Sequence, residues 1–190
     1  MVDDAHGIGV MGANGRGTAE HFGLDDDADL VMGTFSKSRA GVGGFVVGNG
    51  DVIDWIKHKA RPLMFSASPP PASVASVIKA LEVMIREPER RDRLWEITDY
   101  MKREFTTLGF DTGQSASPVI PLVVGEDVTS FMMTKRLQEE GVFVNPVVSP
   151  AVPSGRAMIR TSYMATHTRE HLDRSLGAIA KVGRELGVIA

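Results

Sequence analysis

Between Val31 and Gly48 the chain reads VMGTFSKSRAGVGGFVVG, and this stretch constrains the fold more than any other. Two short apolar runs, ADLVMGT at 28–34 and GFVVG at 44–48, are rich in β-branched residues and bounded by glycine, which predicts strands. One amine, Lys37, stands between them, at the end of a buried-looking strand, among residues with almost no bulk. Hydroxyls surround it at Thr34, Ser36 and Ser38, and glycines follow at 41, 43 and 44. A solvated loop lysine would be inert. A lysine in a tight apolar setting is different, because burial disfavours its charged form, lowers its pKa and leaves a usable amine of the kind that forms a Schiff base. The hydroxyls are donors of the type that bind phosphate, and the glycines let the backbone approach a ligand closely. Taken alone, the stretch leaves both readings open.

The rest of the chain sets the frame. Turn chemistry at NGRG (14–17) precedes the two strands, and DVIDWIKHKA (51–60) predicts a short helix capped by Asp51. RPLMFSASPPP (61–71) reads as a loop that proline keeps out of helix. From Ser73 the period becomes helical, with Val74, Val77, Ile78, Leu81, Met84 and Ile85 on one inward face. A second helix beyond Pro88 places Leu94, Ile97, Met101 and Leu108 inward and ends at Gly109. Strands follow at 117–125, 142–148 and 156–163, with a helix at 130–141 and a last one from about Thr168. The expected division is a strand-and-glycine part over residues 1–85 and an α+β part over 86–190.

With 21 basic and 24 acidic side chains the formal net charge is -3, which argues against a nucleic-acid binder or a polybasic membrane surface. The absence of cysteine removes disulfides, thiolate metal sites and cysteine nucleophiles. No apolar run is long enough to span a bilayer, so a cytoplasmic protein is expected. The opening MVDDAHG has no leader and no strand partner before it, and reads as the C-terminal part of something larger.

Three further groups carry chemistry. Asp3 and His6 are either a turn cap and a satisfied strand-end histidine, or a pair at the C-terminal edge of a sheet, where α/β folds bind ligands. There a carboxylate can face a protonated ring nitrogen and an imidazole can bond a phenolic oxygen. Arg160 lies inside the apolar strand AMIRTSY, where a guanidinium is costly unless it meets an anion; it is either a structural salt bridge or a fork for a carboxylate. Together with Lys37 these types fit pyridoxal phosphate, which needs a Schiff-base lysine and usually an acidic partner for its pyridine nitrogen.

Four ordered motifs, VDDAHGIGVMGANGRG, DLVMGTFSKSRAGVGGF, RPLMFSAS and MIRTSYMATHT, closely resemble the α-oxoamine synthases of the aspartate-aminotransferase-like (fold type I) pyridoxal phosphate enzymes. That family includes serine palmitoyltransferase, 8-amino-7-oxononanoate synthase, 2-amino-3-ketobutyrate CoA ligase and 5-aminolevulinate synthase. The motifs look most like the bacterial serine palmitoyltransferase and ketobutyrate ligase branches. The resemblance implies an α/β chain: the C-terminal part of a type I large domain, then an α+β small domain. It implies an acyltransferase that condenses an amino acid (serine or glycine) with an acyl-CoA, with loss of carbon dioxide, in a homodimer whose active site lies at the interface. Membrane contact would be confined to the lipid product. By resemblance Asp3 pairs with the pyridinium nitrogen and His6 with the ring's phenolic oxygen. Lys37 forms the Schiff base and acts as acid and base, and Thr34 holds the phosphate. Ser66 reaches the phosphate in the neighbouring subunit, and Arg160 binds the substrate carboxylate. Family enzymes are about twice this length, so the chain alone is expected to hold cofactor weakly and not to turn over. Non-catalytic subunits of such a fold typically lose the aldimine lysine, and this chain keeps it.

Overall fold

The computed structural model describes residues 1–190 and divides them into two compact units, Met1–Arg91 and Asp92–Ala190. The division falls in the first turn of a helix, a few residues beyond the expected 85/86 boundary. No helix is long and apolar enough to cross a membrane.

The N-terminal unit is built on a three-stranded sheet, β1 (Val2–Asp3), β2 (Leu30–Thr34) and β3 (Gly44–Gly48), in that order. β1 runs parallel to β2 and β3 antiparallel to it. Both apolar runs expected as strands are strands. β1 is only two residues long, too short to leave a periodic signal. Between β1 and β2 lie a short helix, α1 (Thr18–Phe22), and a 3₁₀ turn at Asp25–Asp27. Three helices follow: α2 (Gly50–Lys59), α3 (Arg61–Met64) and α4 (Pro71–Arg86).

Two local expectations need correction. The cap of α2 is Asn49, whose side chain accepts from the Asp51 N–H, not Asp51 itself. The segment 61–64 is helical despite Pro62, because a proline in the first helical turn gives up an N–H that has no intrahelical acceptor. Helix α4 has the predicted period, yet of its apolar face only Val77 is buried. Ile78 and Ile85 remain 54% and 72% exposed.

The C-terminal unit has an antiparallel sheet in the order β4 (Val119–Gly125), β6 (Ala157–Ser162), β5 (Asn145–Val147). Three helices pack on one face of it: α5 (Glu89–Thr107), α6 (Asp127–Glu139) and α7 (Arg169–Glu185). Ile97, Met101 and Phe105 of α5 meet Ile120 and Leu122 of β4, Ile159 of β6, Met133 and Leu137 of α6, and Leu172, Leu176, Ile179 and Val182 of α7. Thr168 caps α7 in a reciprocal box with His171, which satisfies two otherwise orphaned N–H groups.

The two units differ in how well they are filled. Of the buried hydrophobic side chains, only Ile8 and Val77 belong to the N-terminal unit. Burial of apolar area is the main term resisting local opening. Limited proteolysis of the folded chain is therefore expected to cut first within residues 1–91 and to leave a resistant product covering 92–190. Mass spectrometry of the early fragments checks this; first cuts inside α5–α7 would contradict it.

Candidate active site

The register of the first sheet assembles the site. Asp3 pairs with Met32, and Thr34 is two residues further along β2, so the two side chains share one face of the sheet. Both end their strands, and the lysine loop leaves from the same edge. Asp3 is exposed, and its Oδ1 accepts from the Ala5 N–H at 3.1 Å, closing the turn that carries the exposed His6. Asp3, His6, Thr34 and Lys37 are thus brought to the C-terminal edge of two parallel strands.

The neighbouring carboxylate does a different job. Asp4 is 3% exposed and accepts from Thr18 through the backbone N–H at 2.9 Å and the hydroxyl at 2.6 Å. Gly7 and Gly17 make room for it: a Cβ at these positions would lie 1.9 and 1.8 Å from its oxygens. Asp4 is the staple that closes the loop of residues 4–18. Sequence reasoning passes over it, because nothing beside the Asp-Asp pair marks which acid is buried. Asp4→Ala leaves the Thr18 donors unpaired and should free this loop by about 1.5–3 kcal/mol. Amide hydrogen exchange should quicken across residues 5–18, with the C-terminal unit unchanged.

At the end of β2 the hydroxyls are already organised. Thr34 Oγ1 donates to the Gly43 carbonyl at 3.2 Å, accepts from the Ser36 N–H at 3.3 Å, and lies 2.9 Å from Ser36 Oγ. Ser38 is engaged elsewhere, its Oγ donating to the Ile8 carbonyl at 2.8 Å, so the phosphate-type donors narrow to Thr34 and Ser36. The loop closes on itself through Gly41 N–H to Phe35 O at 2.7 Å and Ala40 N–H to Lys37 O at 3.1 Å, with Ala40 held at φ 48°.

Lys37 stands at the exposed apex of this loop, and its amine makes no hydrogen bond or ion pair. Of the two settings that the sequence leaves open for Lys37, this chain shows the solvent-facing one. The small residues around the lysine give close-packed backbone beneath it and leave the amine in solvent. The buried cation of the loop is Arg39 instead. It is 7% exposed, lies 5.0 Å from the centroid of Phe45, and leaves Nη1 without a partner. Burial lowers its pKa from the ordinary arginine value. Phe45 stacks on Phe35 and covers Gly33, where a Cβ would sit 2.5 Å from the ring. Since Gly33 faces away from Thr34, Arg39 anchors the loop from the side opposite Asp3.

Two predicted residues are carried by other elements. Ser66 follows α3, is exposed, and donates its hydroxyl to the Pro62 carbonyl. Arg160 belongs to the other unit, on β6, where burial alternates strictly: Ala157, Ile159 and Thr161 are buried, Arg160 and Ser162 exposed. The argument that its charge is costly inside an apolar strand is corrected by this alternation, which turns the guanidinium to the open face of the sheet. Arg156, at the strand start, is exposed and lies 3.8 Å from Asp111.

The donor set at the first sheet's edge suits pyridoxal phosphate: a carboxylate for a protonated ring nitrogen, an imidazole for a phenolic oxygen, two adjacent hydroxyls for a phosphate, and an accessible amine for an aldehyde. Comparison with known proteins points the same way. Residues 1–179 match the family model for aminotransferase class I and II. A serine palmitoyltransferase of Sphingobacterium spiritivorum is 55% identical over 185 residues, covering 97% of this chain and 46% of the relative. An 8-amino-7-oxononanoate synthase of Symbiobacterium thermophilum is 51% identical over 188 residues, covering 99% and 48%. A solved structure of a serine palmitoyltransferase variant from S. paucimobilis, with a bound PLP–myriocin aldimine, superimposes with a TM-score of 0.93 at 35% identity, covering 99% of this chain and 48% of that one. The chain spans about half the length of the relatives it matches. This chain belongs to the aminotransferase class I and II family, and within it to sequences of the α-oxoamine synthase kind.

Proposed function

We propose that this chain carries the lysine-bearing part of a pyridoxal phosphate-dependent acyltransferase of the serine palmitoyltransferase kind. The reaction is condensation of an amino acid, serine or glycine, with an acyl-CoA, with loss of carbon dioxide. The observation that carries the reading is the common edge of Asp3, His6, Thr34 and Lys37, set by the β1–β2 register.

When bound, the cofactor supplies an electron sink for charge developing at the amino acid's α-carbon. The residues divide the remaining work. The Asp3 carboxylate keeps a proton on the ring nitrogen, and His6 bonds the phenolic oxygen. Thr34 and Ser36 hold the phosphate through hydroxyls that the loop has already oriented. Lys37 would hold the cofactor through its aldehyde carbon until the substrate's amino group takes that place, and the freed amine would then remove the α-proton and later return a proton to the same carbon. An ammonium is a poor base near neutral pH, so this step requires the amine to be drawn out of the solvent it faces here. Arg160 holds the amino acid's carboxylate.

We further propose that turnover uses a homodimer, with Ser66 donating to the cofactor phosphate of the neighbouring subunit. We also propose that turnover requires the portion of the fold that the longer relatives possess beyond this match. The test is a chimera in which these 190 residues replace the matching half of the Sphingobacterium spiritivorum enzyme. Given an acyl-CoA and a panel of amino acids, it should release CoA and carbon dioxide in equal amounts. Amino-group transfer to a keto acid without CoA release would instead make the protein an aminotransferase.

A further inference from the structure

The open face of the second sheet holds one charge. Its positions, read from the register, are Val119, Pro121 and Val123 of β4, Met158, Arg160 and Ser162 of β6, and Asn145 and Val147 of β5. No carboxylate stands among them, and Arg160 makes no ion pair or hydrogen bond in the chain. The guanidinium is exposed on this face with no carboxylate of the sheet beside it, so its planar fork is open to an anion from outside. Directly across from it on β5 is Asn145, its register partner. Paired residues of antiparallel strands project from the same face with Cα atoms about 4.5–5.5 Å apart, within reach of one small ligand. Asn145 is exposed, and its amide is bonded to no other group of the chain. On the other flank stands Pro121, with no polar side chain to offer. Polar recognition on this face therefore comes from β6 and β5 together.

We infer that Asn145 is the second donor to the carboxylate that Arg160 binds. The guanidinium fork takes one edge of the carboxylate, and the Asn145 Nδ2–H₂ donates to the oxygen nearer β5, which fixes the rotation a single arginine leaves free. This rests on the reading of Arg160 as the carboxylate site, and it makes Asn145 a specificity residue for α-amino acids over amines of the same shape.

The test is a nitrogen-15 NMR titration of the 190-residue chain with L-serine. Ethanolamine, which is serine without its carboxylate, serves as the control. The Arg160 Nε–H and Asn145 Nδ2–H₂ signals should move together along one saturating curve with serine and stay still with ethanolamine. Asn145→Ala should weaken the Arg160 curve about tenfold. Asn145→Asp should abolish it by placing a negative charge beside the ligand. Both positions are exposed, so the backbone spectra of the variants should otherwise match the parent. If Arg160 moves while Asn145 does not, or Asn145→Ala leaves the curve unchanged, the inference fails and the role of Arg160 stands. If neither signal moves with serine, both fail. Movement of Asn145 with ethanolamine would show that it reads the amine or hydroxyl, which also overturns the inference.

Discussion

Lys37→Ala, made in the chimera with the Sphingobacterium spiritivorum enzyme, is expected to lower CoA release by about 10³-fold or more, with no loss of stability. The size follows from the two roles the amine plays. It holds the cofactor and moves the α-proton, and removing a group that acts in several steps costs at least what one acid–base step supplies. The unchanged stability follows from the structure. The side chain is exposed and unbonded, while the backbone bond from Ala40 N–H to Lys37 O survives the substitution. Surface changes of this kind usually stay within about 0.5 kcal/mol. Thermal unfolding of the cofactor-free proteins, measured beside the CoA assay, separates the two effects. A variant that loses activity and melting temperature together would mean that the lysine is structural.

Phe105→Ala is the stability counterpart. Phe105 is fully buried at the centre of the C-terminal core and meets Phe110 edge-on, with centroids 5.9 Å apart at 84°. Truncating it leaves a cavity inside the buried cluster that joins α5, α6 and α7 to β4 and β6. The expected cost is about 3–5 kcal/mol, a large fraction of the stability of a domain this size. Urea denaturation should show a lower midpoint with little change in slope. A loss below about 1 kcal/mol would mean that the core collapses around the gap.

Much of this architecture is legible in the residues, for physical reasons that also explain the misses. The inward stripes of α5 and α7 and the strands β2, β3, β4 and β6 follow from apolar period, because their partners lie within the same unit. Helix α4 has an equally clear period, yet Ile78 and Ile85 stay exposed. Period reports which face is apolar and says nothing of what covers it. Chemistry at the site was legible by type, and exposure was not. Sequence neighbours suggest apolar surroundings for Arg160 and leave the setting of Lys37 open. The loop instead turns Arg39 inward and Lys37 outward, and the alternation of β6 turns Arg160 to the open face. Adjacent acids raise the same difficulty. Nothing local distinguishes Asp3 from Asp4, and only the approach of Thr18 makes Asp4 the buried one.

The central claim is that Lys37 is the residue that takes the cofactor's aldehyde. Its most direct test is borohydride reduction of the chimera with limiting pyridoxal phosphate, followed by proteolysis and mass mapping of the pyridoxyl group. The account predicts that the label concentrates on the peptide containing Lys37, ahead of every other exposed lysine, and that Asp3→Ala lowers its yield. A label spread evenly over the surface lysines, or concentrated on any lysine other than Lys37, would contradict it.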